Sequence, residues 1–157
     1  MPVKKLKQFL DEHKVKYVSI QHSPAYTAQA IAASAHVPER ELAKTVMVTI
    51  DGKIAMAVLP ASYRLDVGQL RRAVNAKHVE LATEGEFEGR FPDCEIGAMP
   101  PFGNLYDMEV YVAGPLADDE EIAFNAGSHR ELIKMRYEDF AWLVQPKVLE
   151  ITVPIGS

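Results

Sequence analysis

The stretch Thr45-Val46-Met47-Val48-Thr49-Ile50-Asp51-Gly52-Lys53-Ile54-Ala55-Met56-Ala57-Val58-Leu59 decides the fold. Its two halves are runs of β-branched and apolar residues. The Asp-Gly pair between them tolerates positive φ at both central positions of a type I′ turn, the turn whose twist matches that of the flanking strands. The segment therefore predicts a hairpin with strands over 45–50 and 53–59. A two-residue loop makes paired positions sum to a constant, so Ile50 should face Lys53, Val48 face Ala55, and Val46 face Ala57. Both strands are apolar on both faces, which places them centrally in a sheet. Lys44 opens the first strand and, by alternation, shares a face with Val46, Ala55 and Ala57. Those small residues would leave room beside the lysine, although small side chains also pack well against helices.

Upstream, Val3, Leu6, Phe9, Leu10 and His13 recur at helical spacing, followed by an extended run from Val15 to Ile20. Thr27 can cap a second helix with Ala28, Ile31, Ala32 and Ala35 on its apolar side, closed by Val37-Pro38. A helical turn from Glu39 to Leu42 leads to Lys44. Downstream, Asp66 can cap a helix through Val67, Leu70 and Val74, and Thr83 with Glu86 forms a capping box for a short helix bearing Phe87 and Phe91. From Pro92 to Gly103 the breakers Gly97, Pro100, Pro101 and Gly103 predict a shaped loop. Strands resume at 108–112 and 122–125, joined by an acidic turn around 114–119. A short strand at 132–135 and a last helix carrying Phe140, Leu143 and Val144 complete the pattern. The predicted class is α+β, one domain over 1–157, with a mixed, mainly antiparallel central sheet flanked by helices.

The chain has 157 residues, 48% of them hydrophobic, enough for one well-filled core. No leader or apolar span is visible, so the expected compartment is the cytoplasm and no membrane is involved. The single cysteine, Cys94, excludes an internal disulfide, and it lies between Asp93 and Glu95, which disfavour a thiolate. A net charge of −5 argues against bulk electrostatic coating of DNA or RNA. The histidines His13, His22, His36, His78 and His129 lack the paired spacing of zinc enzymes, so no metal is expected. No Gly-x-Ser-x-Gly elbow occurs, and Ser128 and His129, as neighbours in extended chain, point to opposite faces. A serine hydrolase is therefore rejected.

Two features invite a chemical reading. A lysine in a central strand is costly unless it is paired, meets an anion or reaches water along its stem. The segment Phe124-Asn125-Ala126-Gly127-Ser128-His129 ends a strand with small and polar residues, as a ligand loop or a plain turn would. These observations alone do not name a reaction.

The run Leu42-Ala43-Lys44-Thr45-Val46-Met47-Val48, with the hairpin ending Ala57-Val58-Leu59-Pro60, resembles the YbaK/ProX family of free-standing aminoacyl-tRNA deacylases. That family is related to the editing insertion domain of bacterial prolyl-tRNA synthetases. Its marker lysine, Gly-x-x-x-Pro loop and glycine-bearing strand end look matched, in order, by Lys44, by Gly97 to Pro101 continuing into Phe102 and Gly103, and by Asn125-Ala126-Gly127. His22-Ser23-Pro24 resembles the family's opening. The resemblance implies hydrolysis of the ester between a small amino acid such as alanine, serine or threonine and the 3′ adenosine of tRNA, without cofactor. It implies Lys44 as the catalytic cation, with His22, Thr45, Gly97, Pro101, Phe102, Gly103, Asn125, Ala126, Gly127, Ser128 and His129 at the substrate. The tRNA acceptor end is the expected partner, with an aminoacyl-tRNA synthetase as a second. Arg64, Arg71, Arg72 and Lys77 are candidates for acceptor-stem contact or simply a solvated helix face. The alternative is a non-catalytic module that binds an aminoacyl end or a free amino acid, alone or with a synthetase.

Overall fold

The computed structural model describes residues 4–25 and 27–155. Val3, the first position of the expected helical stripe, lies outside them. The helices are α1 Lys4–Glu12, α2 Ala28–Ala35, α3 Val67–Ala73, α4 Glu84–Phe87, α5 Gly114–Ala117 and α6 Tyr137–Val144. The strands are β1 Tyr17–Gln21, β2 Leu42–Ile50, β3 Lys53–Pro60, β4 Tyr63–Leu65, β5 Val79–Leu81, β6 Val110–Ala113, β7 Glu121–Asn125, β8 Glu131–Arg136, β9 Lys147–Leu149 and β10 Thr152–Pro154.

The main sheet runs β1-β8-β7-β2-β3-β6-β9, with β5 added along β2. The β2–β3 hairpin has the expected register, and Asp51 and Gly52 both take positive φ, at 49° and 85°. Its neighbours are mixed: β7 and β6 lie parallel to β2 and β3 respectively, whereas β1–β8, β7–β8 and β2–β5 are antiparallel. Local caps act as the sequence predicts. Thr27 accepts from the N–H of Ala30 at 3.1 Å and Asp66 from that of Gln69 at 3.0 Å, each quenching an orphan donor of a helix's first turn. The carboxylate of Glu86 accepts from the N–H of Thr83 at 2.9 Å, starting α4.

Strand alternation sends the sheet's side chains to two differently covered faces. On one, Met47, Met56, Val58 and Phe124 pack beneath Leu6 and Leu10 of α1 and Phe140 of α6. On the other, two separate patches form. Ile31 and Ala32 of α2 cover Leu42, Ala123 and Leu132, while Leu70 of α3 and Ile151 cover Val48, Ala55, Ala57 and Leu59. The face is thus divided between Leu42 and Val48, and Lys44 stands in the division.

Several expectations change in detail. β2 starts at Leu42, so Lys44 is its third residue, because pairing with β3 and β7 extends the strand upstream. The anticipated helical turn at 39–42 is only a turn, in which the N–H groups of Glu41 and Leu42 both donate to Pro38 O. The acidic turn at 114–119 opens as the helical turn α5, with proline in its first turn. Strands β4, β5, β9 and β10 were not expected; each is three residues long, too short for alternation to show. The room foreseen beside Ala55 and Ala57 is filled by α3, leaving them 4% and 0% exposed.

Candidate functional site

A fork in the sheet builds the site. β2 and β7 run parallel and pair only at Leu42–Ala123 and Ala43–Phe124. Farther along that edge β2 regains a neighbour only at Val48, where β5 joins. From Lys44 to Val46 the edge therefore has no strand partner among the described residues. The fork opens past the carboxyl end of β7, alongside the first residues of β2. Register places Asn125, the last residue of β7, next to Lys44 across the fork and on the same face, since Ala123 and Leu42 pack together in the α2 patch.

Lys44 is half-buried, and no ion pair or hydrogen bond of its ammonium is found among the described residues. Burial pulls its pKa below the ordinary lysine value, and the Glu39 carboxylate, beyond ion-pair reach, partly restores it. A cation held this way, partly stripped of water and without a counter-ion, is set to gain from an arriving phosphate or carbonyl oxygen.

The far wall is the turn after β7, fastened to the proline-rich loop. Gly127 donates to Ala98 O at 2.9 Å and accepts from the N–H of Glu95 at 2.8 Å. His129 donates its backbone N–H to the Glu95 carboxylate at 3.0 Å, and its Nε2 lies 2.9 Å from Ile96 O. A carbonyl only accepts, so that ring nitrogen carries the proton. Gly97 and Gly127 have φ of 87° and 98°, the left-handed region that favours glycine. The loop 97–101 and the turn 125–129 are thus brought together as the sequence suggested. Glu95 and Ile96, which lock them, and Glu39, which acts on Lys44, were missed. They fit no motif and act through distant partners.

Other candidates are placed differently. Phe102 is 0% exposed and stacks among Phe9, Phe124 and Phe140, so it belongs to the core, not to a ligand surface. Gly103 is buried in a helical turn where a Cβ would stand 2.5 Å from Met108 O, so packing within the protein explains this glycine. Thr45 alternates to the opposite face from Lys44, with Ala43 and Met47. Ala126 is buried in the same cluster, and Pro101 is buried beside Phe102. Ser128 is 6% exposed, with its hydroxyl accepting from the N–H of Arg130 at 3.3 Å, an internal turn contact. His22 follows β1, donating its N–H to Arg130 O at 2.9 Å. Arg64, Arg71, Arg72 and Lys77 are all exposed; Arg71 and Arg72 lie in α3, on the sheet face that carries Lys44. Cys94 sits 3.7 Å from the Tyr106 hydroxyl, and burial pushes its thiol pKa up. Two open clefts elsewhere, one at the Asp51-Gly52 turn with Lys53 and Arg90, the other along β1 and β8 with Lys16 and Arg136, contain no candidate residue.

The α+β sheet thus forks beside a half-buried, unpaired lysine, and the two glycine-bearing loops are hydrogen-bonded to each other beyond the end of β7. The family model of the aminoacyl-tRNA editing domain matches residues 22–143, and the chain belongs to that family. Among curated relatives, the multifunctional Ser/Thr-tRNA deacylase ProXp-y of Escherichia coli K12 is 30% identical over 96 residues, covering 60% of this chain and 56% of that protein. A proline–tRNA ligase of Staphylococcus epidermidis is 26% identical over 133 residues, covering 78% of this chain and 23% of the ligase. The chain thus matches little more than half the length of the first relative and under a quarter of the second. A solved structure described as a candidate trans-editing enzyme for prolyl-tRNA synthetase shares the fold, with a TM-score of 0.80, 20% identity and 96% coverage of both chains. Among the described residues no helix is long and apolar enough to cross a membrane.

Proposed function

We propose that this chain is a trans-editing deacylase that hydrolyses the ester between a mischarged small amino acid and the 3′-terminal adenosine of a tRNA. The observation that carries this reading is the unpaired, partly desolvated ammonium of Lys44 in the β2–β7 fork of an editing-family domain. Lys44 acts as a fixed cation that orients the terminal phosphate or the ester carbonyl, and needs no nucleophilic role. Backbone N–H groups at the unpaired edge of β2 and in the Gly97 loop stabilise the charge that develops on the carbonyl oxygen when water attacks. His22, Asn125 and the turn ending at His129 form the wall against which the acyl group rests.

Such an enzyme answers a physical limit. A synthetase pocket rejects a substrate smaller by one methylene by only about 1–3 kcal/mol, so a second sieve is required. The class removed is a small residue, alanine, serine or threonine, which the Ser/Thr-tRNA deacylase relative supports for serine and threonine, and a prolyl-tRNA synthetase is the functional partner, a reading the proline–tRNA ligase relative supports. Arg71 and Arg72 flank the site and contact the acceptor stem.

The test is hydrolysis of a panel of mischarged tRNAs by the wild-type protein and by Lys44→Ala. Release of one small amino acid, slowed on the order of 100-fold in the variant, is the expected result. No release from any member, with acceptor-end binding retained, would replace the deacylase by a non-catalytic binding module.

A further inference from the structure

Two buried polar atoms on the face that carries Lys44 have no protein partner among the described residues: Asn125 Oδ1 and His22 Nε2. Buried polar side-chain atoms are nearly always hydrogen-bonded, so two orphans on one face call for an explanation. Both are acceptors. The Asn125 atom is an amide oxygen. His22 Nδ1 lies 2.8 Å from Ser23 O and must donate to it, which leaves the lone pair of the neutral ring on Nε2.

Register brings them to the same end of the sheet. Asn125 stands opposite Leu132 on β8, and Leu132 opposite Ile20 on β1; His22 is two residues beyond Ile20 and so shares its face. Because β1 and β7 are both antiparallel to β8, they run the same way as β2. His22 and Asn125 therefore lie at the carboxyl ends of β1 and β7, and Lys44, near the start of β2, stands level with Asn125. One strand separates β1 from β7 and His22 lies two residues beyond the level of Asn125, a Cα interval of about 12 Å into which an imidazole and a carboxamide both reach.

This inference rests on the reading that the fork binds an aminoacyl end. The ester and phosphate oxygens of that ligand are acceptors and suit Lys44, a donor. The remaining polar group of the aminoacyl unit is its α-ammonium, with three donors and a charge, and it suits acceptors. We propose that Asn125 Oδ1, with His22 Nε2 as second acceptor, receives this α-ammonium, so that the site selects esters whose acyl group carries a free α-amine. A site built to hydrogen-bond a substrate group discriminates strongly against an analogue lacking it, because its own buried atoms then stay unpaired. Charge-assisted bonds widen that gap.

The test compares tRNAs whose 3′-terminal adenosine carries an L-alanyl or an L-lactyl group in non-hydrolysable amide linkage. The pair differs in the α-substituent, ammonium against hydroxyl, at nearly equal size and with the 2′-hydroxyl kept. The wild-type protein should bind the alanyl form about tenfold or more tightly than the lactyl form. Asn125→Leu should weaken alanyl binding several-fold more than lactyl binding, because the hydroxyl loses one neutral hydrogen bond and the ammonium a charge-assisted one. Asn125→Asp, which keeps an acceptor, should retain the preference and serves as the folded reference if the leucine variant is unstable. Equal wild-type affinities, no binding of either form, or equal weakening of both by Asn125→Leu would overturn the proposal. Amine-selective binding without ester hydrolysis would uphold it and overturn the deacylase reading; hydrolysis without amine preference would do the reverse.

Discussion

Replacing Gly103 by alanine separates a packing role from a ligand role. A Cβ at this position would lie 2.5 Å from Met108 O, 2.6 Å from Val110 Cγ2 and 3.2 Å from the Met108 carbonyl carbon. Two of these neighbours are backbone atoms, and the N–H of Met108 donates back to Gly103 O at 2.9 Å, so the 103–108 loop is closed on itself. No side chain can swing away to relieve the clash with the Met108 backbone. The loop must shift against Phe102 and Val110, which are 0% and 6% exposed. Overpacking of this kind costs about 1–3 kcal/mol, and rigid neighbours put this case near the upper end. For a domain of this size each kcal/mol moves Tm by about 2–4 °C, so a fall of about 5–10 °C is expected in thermal unfolding followed by circular dichroism. Hydrolytic activity per folded molecule, assayed well below the midpoint, should stay within a few-fold of wild type, because the added methyl enters the core and not the fork. An unchanged Tm together with abolished hydrolysis would refute this reasoning and put Gly103 at the substrate.

Three further outcomes follow from the charges. Lys44→Met removes a partly buried cation whose pKa is held down by desolvation, so folding is opposed by its charge at neutral pH. The variant should have the higher Tm at pH 7, and the gap should close as pH rises through the lowered Lys44 pKa; a lower Tm at pH 7 would contradict this. Asp119 has its pKa raised by burial and then by Glu41, so its ionised form costs stability at neutral pH, and that cost disappears as pH falls through the raised value. Asp119→Asn should therefore stabilise at pH 7 with an advantage that vanishes in acid, and a pH-independent difference would rule this account out. Charge reversal of Arg71 and Arg72 should weaken tRNA binding and lower its salt slope by about 1 for each phosphate no longer neutralised; an unchanged slope removes α3 from the tRNA interface.

Much of the fold is legible in local chemistry. The Asp-Gly turn set the hairpin register residue by residue, and Thr27, Asp66 and Glu86 fixed three helix starts, because each depends on backbone groups no more than three positions away. The four short strands escaped notice because a three-residue strand is defined by its partner rather than by its own pattern. For the site, sequence reading singled out Lys44, which the structure places half-buried at the β2–β7 fork. It failed where a loop residue turned inward: Phe102 and Gly103 follow the proline-rich loop in sequence but face the core.

By itself the sequence determined the α+β class, the central hairpin and the helix caps, all matters of short-range geometry and residue chemistry. Only the tertiary structure decided that β2 and β7 part company after Ala43 and Phe124, that α2 and α3 cover one face in two patches with Lys44 between them, and that Asn125 stands next to Lys44 with His22 on the same face of the sheet. Those features arise from strand pairings between segments 81 residues apart at β2–β7 and 110 to 118 apart at β1–β8, and no local pattern encodes where two parallel strands cease to pair.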